Sequence, residues 1–256
     1  IAGCDGLEAG ARWRGASMTE AFFALHRNLP REGPGRAADV LWALAEAGTP
    51  ARAHICDVAC GPGADTVTLA EARPDARILA LDGTAHFVAE ARARTASFGS
   101  RVQVAAGDMA RLAGAFDLIW CAGAVYFMGV TEALTAWRAA LAPGGRVAFS
   151  EPVLLSDPPS ACARTFWQDE YPGITALAGI EARVVAAGFR LLGHRMVVGA
   201  PWAEYFLPLE SRIATLRAAG PGADLKAVLD EAAREIAHWH DCPSDIAYAL
   251  CVVEPA

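Results

Sequence analysis

Lysine is almost missing from this chain of 256 residues: Lys226 stands alone, and the other 21 of the 22 basic residues are arginines. Set against 29 acidic residues, that leaves a net charge of −7. No cluster of basic residues forms the positive footprint a phosphate backbone requires, so nucleic acid is not an expected partner. Long apolar runs are missing too. Ala247 to Val253 is far shorter than the roughly 20 residues of a spanning helix, so no membrane segment is expected. No glycine-rich loop ends in Lys-Ser or Lys-Thr, which removes P-loop nucleotide hydrolysis. The seven cysteines (Cys4, Cys56, Cys60, Cys121, Cys162, Cys242 and Cys251) are odd in number, scattered and mostly set in apolar runs. Reduced, buried thiols in a cytoplasmic protein explain that pattern best. His238 and His240 stand two apart on a helical stretch, where side chains diverge, so no metal is expected. The first residue is Ile1, and what precedes it stays open.

What is present is the composition of a packed globular protein, 54% hydrophobic and 20% charged, with enough length for one large core. Ser17-Met18-Thr19-Glu20 reads as a capping box with Ser17 as the N-cap, opening a short helix stopped by Pro30. A second helix spans Arg36 to Ala47. From residue 51 short apolar runs alternate with helical stretches. Strands are expected at Ala53–Ala59, Arg77–Leu81, Arg101–Ala105, Phe116–Cys121 and Arg146–Ser150, the last after a Pro143-Gly144-Gly145 break. That rhythm implies right-handed crossovers and a parallel sheet covered on both faces. Beyond Glu151 the pattern loosens into an irregular insertion. A helix (Ala176–Ala187), a strand (Phe189–Val198), two helices (Trp202–Ala219 and Asp224–His240) and a last strand (Ile246–Val253) follow.

The strongest chemical signal is Asp57-Val58-Ala59-Cys60-Gly61-Pro62-Gly63 at a strand-to-helix turn. Glycines there let the backbone approach a ligand, and the next helix presents free amides. Asp82 ends the second strand, where a carboxylate reaches the ribose hydroxyls of a bound nucleoside. Asp108, with Met109, follows the third and can accept from an adenine amino group. Each acid alone is equally a helix cap or a loop carboxylate. Three in register with a Gly-Pro-Gly turn suit a ligand that is cationic and carries no phosphate.

Asp57 to Gly63, Asp82, Asp108-Met109 and Leu141-Ala142-Pro143-Gly144-Gly145 together resemble the successive motifs of class I S-adenosylmethionine-dependent methyltransferases. The likeness covers roughly residues 50 to 151. Phe22 to His26 and Leu29 to Gly35 resemble the lead-in of a poorly characterised bacterial branch that methylates small molecules. One departure is Ala59, where the family usually has glycine.

The resemblance implies a single Rossmann-like α/β domain over 1–256. Its doubly wound sheet would be seven-stranded and mostly parallel, with an antiparallel last strand. Residues 1–50 would form a helical lid, 51–151 the cofactor-binding core, and 152–180 and 200–243 insertions on the substrate side. It implies S-adenosylmethionine as cofactor, S-adenosylhomocysteine as product, and a small-molecule methyl acceptor. Asp57, Ala59, Cys60, Gly61 and Gly63 would hold the methionine end, Asp82 and Gly83 the ribose, and Asp108 and Met109 the adenine. Cys121 to Tyr126 would face the sulfonium and acceptor. Glu151 at the end of the fifth strand, Tyr126 and Tyr171 are the candidate orienting or base residues, with His26 a further one if the lid closes. Trp167, Tyr171, Trp202, Tyr205 and Phe206 suit either an acceptor pocket or a core. A protein that binds the cofactor without methylating anything is the alternative. A nicotinamide oxidoreductase fits less well, because Thr66 stands where its fingerprint wants a third glycine.

Overall fold

The computed structural model describes residues 16–168 and 171–256. The first fifteen residues of the expected lid, Cys4 among them, lie outside the described residues. Two helices, α1 (Ala16–His26) and α2 (Ala37–Glu46), precede the alternation β1 (His54–Val58), α3 (Ala64–Ala72), β2 (Arg77–Asp82), α4 (Ala85–Thr95), β3 (Val102–Ala106) and β4 (Phe116–Cys121). Then come α5 (Val130–Trp137), β5 (Leu141–Leu154), α6 (Ala161–Gln168), a two-residue β6 (Thr175–Ala176) and α7 (Leu177–Ala186). The chain continues with β7 (Phe189–Val198), α8 (Ala200–Ala218), α9 (Ala223–Asp241) and β8 (Ala247–Pro255).

The sheet runs β3-β2-β1-β4-β5-β8-β7, with β6 beside the end of β5. Strands β1 to β5 pair in parallel, and β8 lies antiparallel between β5 and β7. This is the expected mostly parallel sheet with a reversed last strand. Central strands are buried on both faces, and the period of two divides their side chains between two cores. Ile55, Leu118, Trp120, Ala148, Tyr248 and Leu250 face one core, built on α1, α2, α8 and α9. Cys56, Ile119, Cys121, Phe149, Ala249 and Cys251 face the other, built on α5 and α7. Among the described residues no helix is long and apolar enough to cross a membrane.

Several expectations need correction. Ser17 is not an N-cap. It lies inside α1, and its hydroxyl donates to Asp224 on α9, so a tertiary partner takes the group that local capping would have used. The fifth strand starts at Leu141 and runs to Leu154. Pro143-Gly144-Gly145 is absorbed in an irregular stretch where the β4 register slips between Phe116 and Leu118. A Cβ on Gly145 would stand 2.4 Å from the Phe116 carbonyl oxygen. Pairing with β8 carries β5 past Ser150, so Glu151 sits within the strand opposite Ala249.

The aromatic question resolves to core for four of the five residues. Trp167, Trp202, Tyr205 and Phe206 are buried, and with Tyr248 and Trp239 they build a cluster of edge-on and tilted rings. The thiols at positions 56, 121 and 251 are buried and free, but Cys162 and Cys242 are joined in a disulfide between α6 and the end of α9. The two lie 80 residues apart, a pairing that spacing alone does not reveal.

Candidate cofactor and acceptor site

One cavity of about 640 Å³ opens over the carboxyl ends of β1, β2, β3 and β4, the place where open α/β sheets take ligands. Its size suits a nucleoside-sized ligand with room beside it. Asp57, Ala59, Cys60, Gly61, Asp82, Gly83, Asp108 and Met109 all line it, as does Tyr126.

The turn after β1 is held by its own backbone. The Cys60 amide donates to the Leu81 carbonyl at 2.9 Å, and the Gly63 amide to the Cys60 carbonyl at 3.0 Å. Both Gly61 (φ +53°) and Ala59 (φ +54°) are left-handed. Ala59 therefore occupies a conformation that favours glycine, which accounts physically for the glycine usual at that position in the family. Gly63 does not reach the cavity. It starts α3 at φ +89°, and a Cβ there would stand 3.0 Å from the Ala91 Cβ and 3.1 Å from its Cα. Its role is to let the turn pack against α4.

Asp57 is buried, and its Oδ2 accepts from the Thr66 hydroxyl at 2.5 Å. Loss of solvation pushes its carboxyl up to about 8, against the opposing pull of that hydrogen bond. Thr66 thus has a local purpose where a dinucleotide fold would place glycine. Asp82 accepts from the Gly61 amide at 2.9 Å and the Thr84 amide at 2.8 Å. Burial raises its carboxyl too, while those amides favour the charged form. Asp108 is more open and accepts from the Ala110 amide at 2.9 Å. The Met109 carbonyl is fixed by the Trp137 indole at 2.7 Å.

Past β4 the period of two corrects one expectation. Cys121 is fully buried in the α5–α7 core, and Trp120 on the opposite face lines the cavity. Ala122, Gly123, Ala124, Tyr126, Phe127 and Met128 complete that wall. The Gly123 amide donates to the Ser150 hydroxyl at 2.7 Å, which anchors the loop to β5.

The same parity removes Glu151 from the cavity wall. It shares its face with Phe149 and Val153 and is fully buried beside α7. The Tyr171 hydroxyl donates to its Oε1 at 2.6 Å, and Arg183 lies 3.4 Å from the same oxygen. Burial pushes the Glu151 carboxyl up to about 7 in spite of both partners. Tyr171 does not line the cavity either, although its ring lies 5.8 Å from that of Tyr126.

Sequence reasoning missed the strap 31–34. Arg31, Glu32, Gly33 and Pro34 all line the cavity, together with Asp65 and Trp120. Arg31 reaches Asp65 at 2.7 Å, and Asp65 also accepts from the Trp120 indole at 3.3 Å. Glu32 is paired with His26 at 2.6 Å. The available signal was the run Leu29 to Gly35, noticed for its likeness and not for its charges. Among the described residues, nothing from 152–180 or 200–243 lines the cavity, so those insertions do not form its wall. Instead α8 and α9 pack against α1, the helix that leads into the strap.

Residues 55–145 match a family model described as a methyltransferase domain. Over 93% of its length the chain superposes on an S-adenosylmethionine-dependent methyltransferase from Geobacter sulfurreducens, solved with S-adenosyl-L-homocysteine. It covers 98% of that chain at a TM-score of 0.80 and 17% identity. The fold is therefore that of the class I methyltransferases, and the resemblance read from the motifs is borne out.

Closer in sequence are trans-aconitate 2-methyltransferases. That of Streptomyces avermitilis is 37% identical over 111 residues, 41% of each chain, and that of Paracidovorax citrulli is 31% identical over 149 residues, 56% of each. The chain thus spans only about two fifths to a little over half of these relatives' length. The same fold is also shared with the [4+2]-cyclase SpnF, at a TM-score of 0.70, 19% identity and 93% of both chains.

Proposed function

We propose that this protein is an S-adenosylmethionine-dependent methyltransferase whose acceptor is a small neutral or cationic molecule. The observation that carries the reading is the series of acids at successive strand ends around one cavity: Asp57 near the end of β1, Asp82 at the end of β2 and Asp108 just past β3. A cofactor with a sulfonium and an ammonium, and no phosphate, suits that electrostatic lining. Methyltransferases of the same fold, solved with its product, support the choice.

The cofactor supplies a methyl group already activated on sulfur. The protein's part is to orient, exclude water and receive a proton where the acceptor has one to lose. Asp57 and the turn 59–61 would hold the methionine end, Asp82 and Gly83 the ribose, Asp108 and Met109 the adenine. Tyr126, with Trp120, Phe127 and Met128, would form the acceptor wall. Glu151 and Tyr171 would act behind Tyr126 as positioning residues, not in contact with the substrate.

The acceptor reading departs from the relatives' tricarboxylate. The described lining holds five acidic side chains (Glu32, Asp57, Asp65, Asp82, Asp108), of which Asp57 keeps its proton up to about pH 8, and a single guanidinium, Arg31, already paired with Asp65. A trianion would enter a field of its own sign.

Calorimetric titration with S-adenosylmethionine tests the cofactor, with NADH and NADPH as controls. Micromolar binding that weakens at least tenfold in Asp82→Ala, with no nicotinamide response, is the expected outcome. Turnover of trans-aconitate in preference to a panel of phenols and amines would overturn the acceptor class.

A further inference from the structure

Arg31 and Glu32 are adjacent, carry opposite charges and line the cavity at its β1–α3 end. Arg31 is fixed there by Asp65 near the start of α3, and the Glu32 Cγ stands 3.7 Å from where a Gly61 Cβ would be. We propose that this pair is a clamp for a free α-amino acid group: the guanidinium takes the carboxylate and Glu32 the ammonium of the cofactor's methionine end. The inference rests on the cofactor reading above.

Charge complementarity is the first argument. Arg31 is the one cation among the described lining residues, so a ligand carboxylate has a single oppositely charged partner there. Its bond to Asp65 uses one amino group and leaves further donors of the planar fork for a bidentate partner. A Cβ at Gly35 would stand 2.9 Å from Arg31 Nη1, so that glycine is the space the guanidinium occupies.

The second argument is an unanswered acceptor. Glu32 Oε2 is paired with His26 Nδ1, while Oε1 is buried with no hydrogen-bond partner. A buried carboxylate oxygen without a donor is costly, and an ammonium ion brings the donors it lacks.

The third is preorganisation. The strap is tied to α4 by contacts that involve no ligand: the Asn28 amide donates to Glu90 at 2.9 Å, and Arg94 donates to the Pro30 and Leu29 carbonyls at 2.5 and 3.1 Å. The clamp is thus held in place over Gly61, and binding need not order it.

The test compares two ligands in the same samples by calorimetry: S-adenosylhomocysteine, and 5′-methylthioadenosine, which lacks the amino acid group. Arg31→Ala should weaken S-adenosylhomocysteine roughly 10- to 100-fold and Glu32→Gln roughly tenfold, with 5′-methylthioadenosine held within about twofold. Retained 5′-methylthioadenosine binding also certifies an intact pocket, and Glu32→Gln is nearly isosteric should Arg31→Ala fail to fold. Equal losses for both ligands would make the strap merely structural and overturn the clamp. So would unchanged S-adenosylhomocysteine binding, or a wild type with no preference between the two ligands, although the cofactor reading would survive. Wild-type protein that binds neither ligand would sink both readings together.

Discussion

Two glycines in one turn should fail in opposite ways when each is given a methyl group. In Gly63→Ala the left-handed φ of +89° costs about 1–2 kcal/mol. The new Cβ would also press on the Ala91 Cβ and Cα at 3.0 and 3.1 Å. Part of that contact is backbone of α4, so relief needs a helix shift, an overpacking cost of about 1–3 kcal/mol. A stiffer unfolded chain offsets about 0.4–1 kcal/mol of this. The net loss is about 2–4 kcal/mol, which lowers the melting temperature by roughly 5–15 °C in a chain of this size. In Gly61→Ala the backbone cost remains, at φ +53°, but the nearest atom is the Glu32 Cγ at 3.7 Å. Its stability loss should stay near 1 kcal/mol. Its methyl projects between the turn and the strap, where the proposed ligand lies, so binding of S-adenosylhomocysteine should suffer most. Urea unfolding and calorimetry on both variants separate the two effects. A Gly63→Ala protein as stable as wild type, or a Gly61→Ala protein that unfolds more easily than it, would refute the packing argument.

Other consequences are as open to measurement. Asp57 holds its proton up to about pH 8, and a cation bound beside it should drive that proton off. Binding at pH 7 should therefore release up to one proton, seen as a buffer-dependent calorimetric enthalpy that vanishes in Asp57→Asn, with affinity rising toward pH 8. Stability should move the other way. The folded-state values of Asp57 (from 3.8 to about 8) and Glu151 (from 4.5 to about 7) are raised, so the folded protein binds more protons than the unfolded across those windows. Their contribution falls as pH rises, and a melting temperature that climbs from pH 5 to 8 would contradict it. Ala59→Gly relieves a left-handed alanine and should leave the protein unchanged or more stable by up to about 1 kcal/mol by urea unfolding; a clear loss would mean the methyl packs better than its backbone suggests. Cys162→Ser opens a loop of 80 residues and should cost about 2–4 kcal/mol relative to the oxidised protein, with non-reducing peptide mapping as the check that the cross-link forms.

Local features are legible in the chain alone: the alternation of strands and helices, the glycine turn, and acids at three successive strand ends. Each is written within a few residues, because a strand's apolar run and a turn's glycine need no distant partner to be recognised. The order of strands followed from the family likeness.

Parity and long-range contact set the rest, and neither is written locally. Whether Cys121 or Trp120 lines the cavity is a matter of which face each residue takes, and one residue reverses it. Glu151 was misplaced for the same reason, since its strand continues past Ser150 only because β8 pairs with it. Ser17 gave up its capping role to Asp224 across 207 residues, and Cys162 found Cys242 across 80. Arg31 and Glu32 belong to the run Leu29 to Gly35, whose likeness does not say where its charges point. They became part of the cavity only when contacts to α3 and α4 fixed the N-terminal strap beside Gly61, a placement that no local pattern encodes.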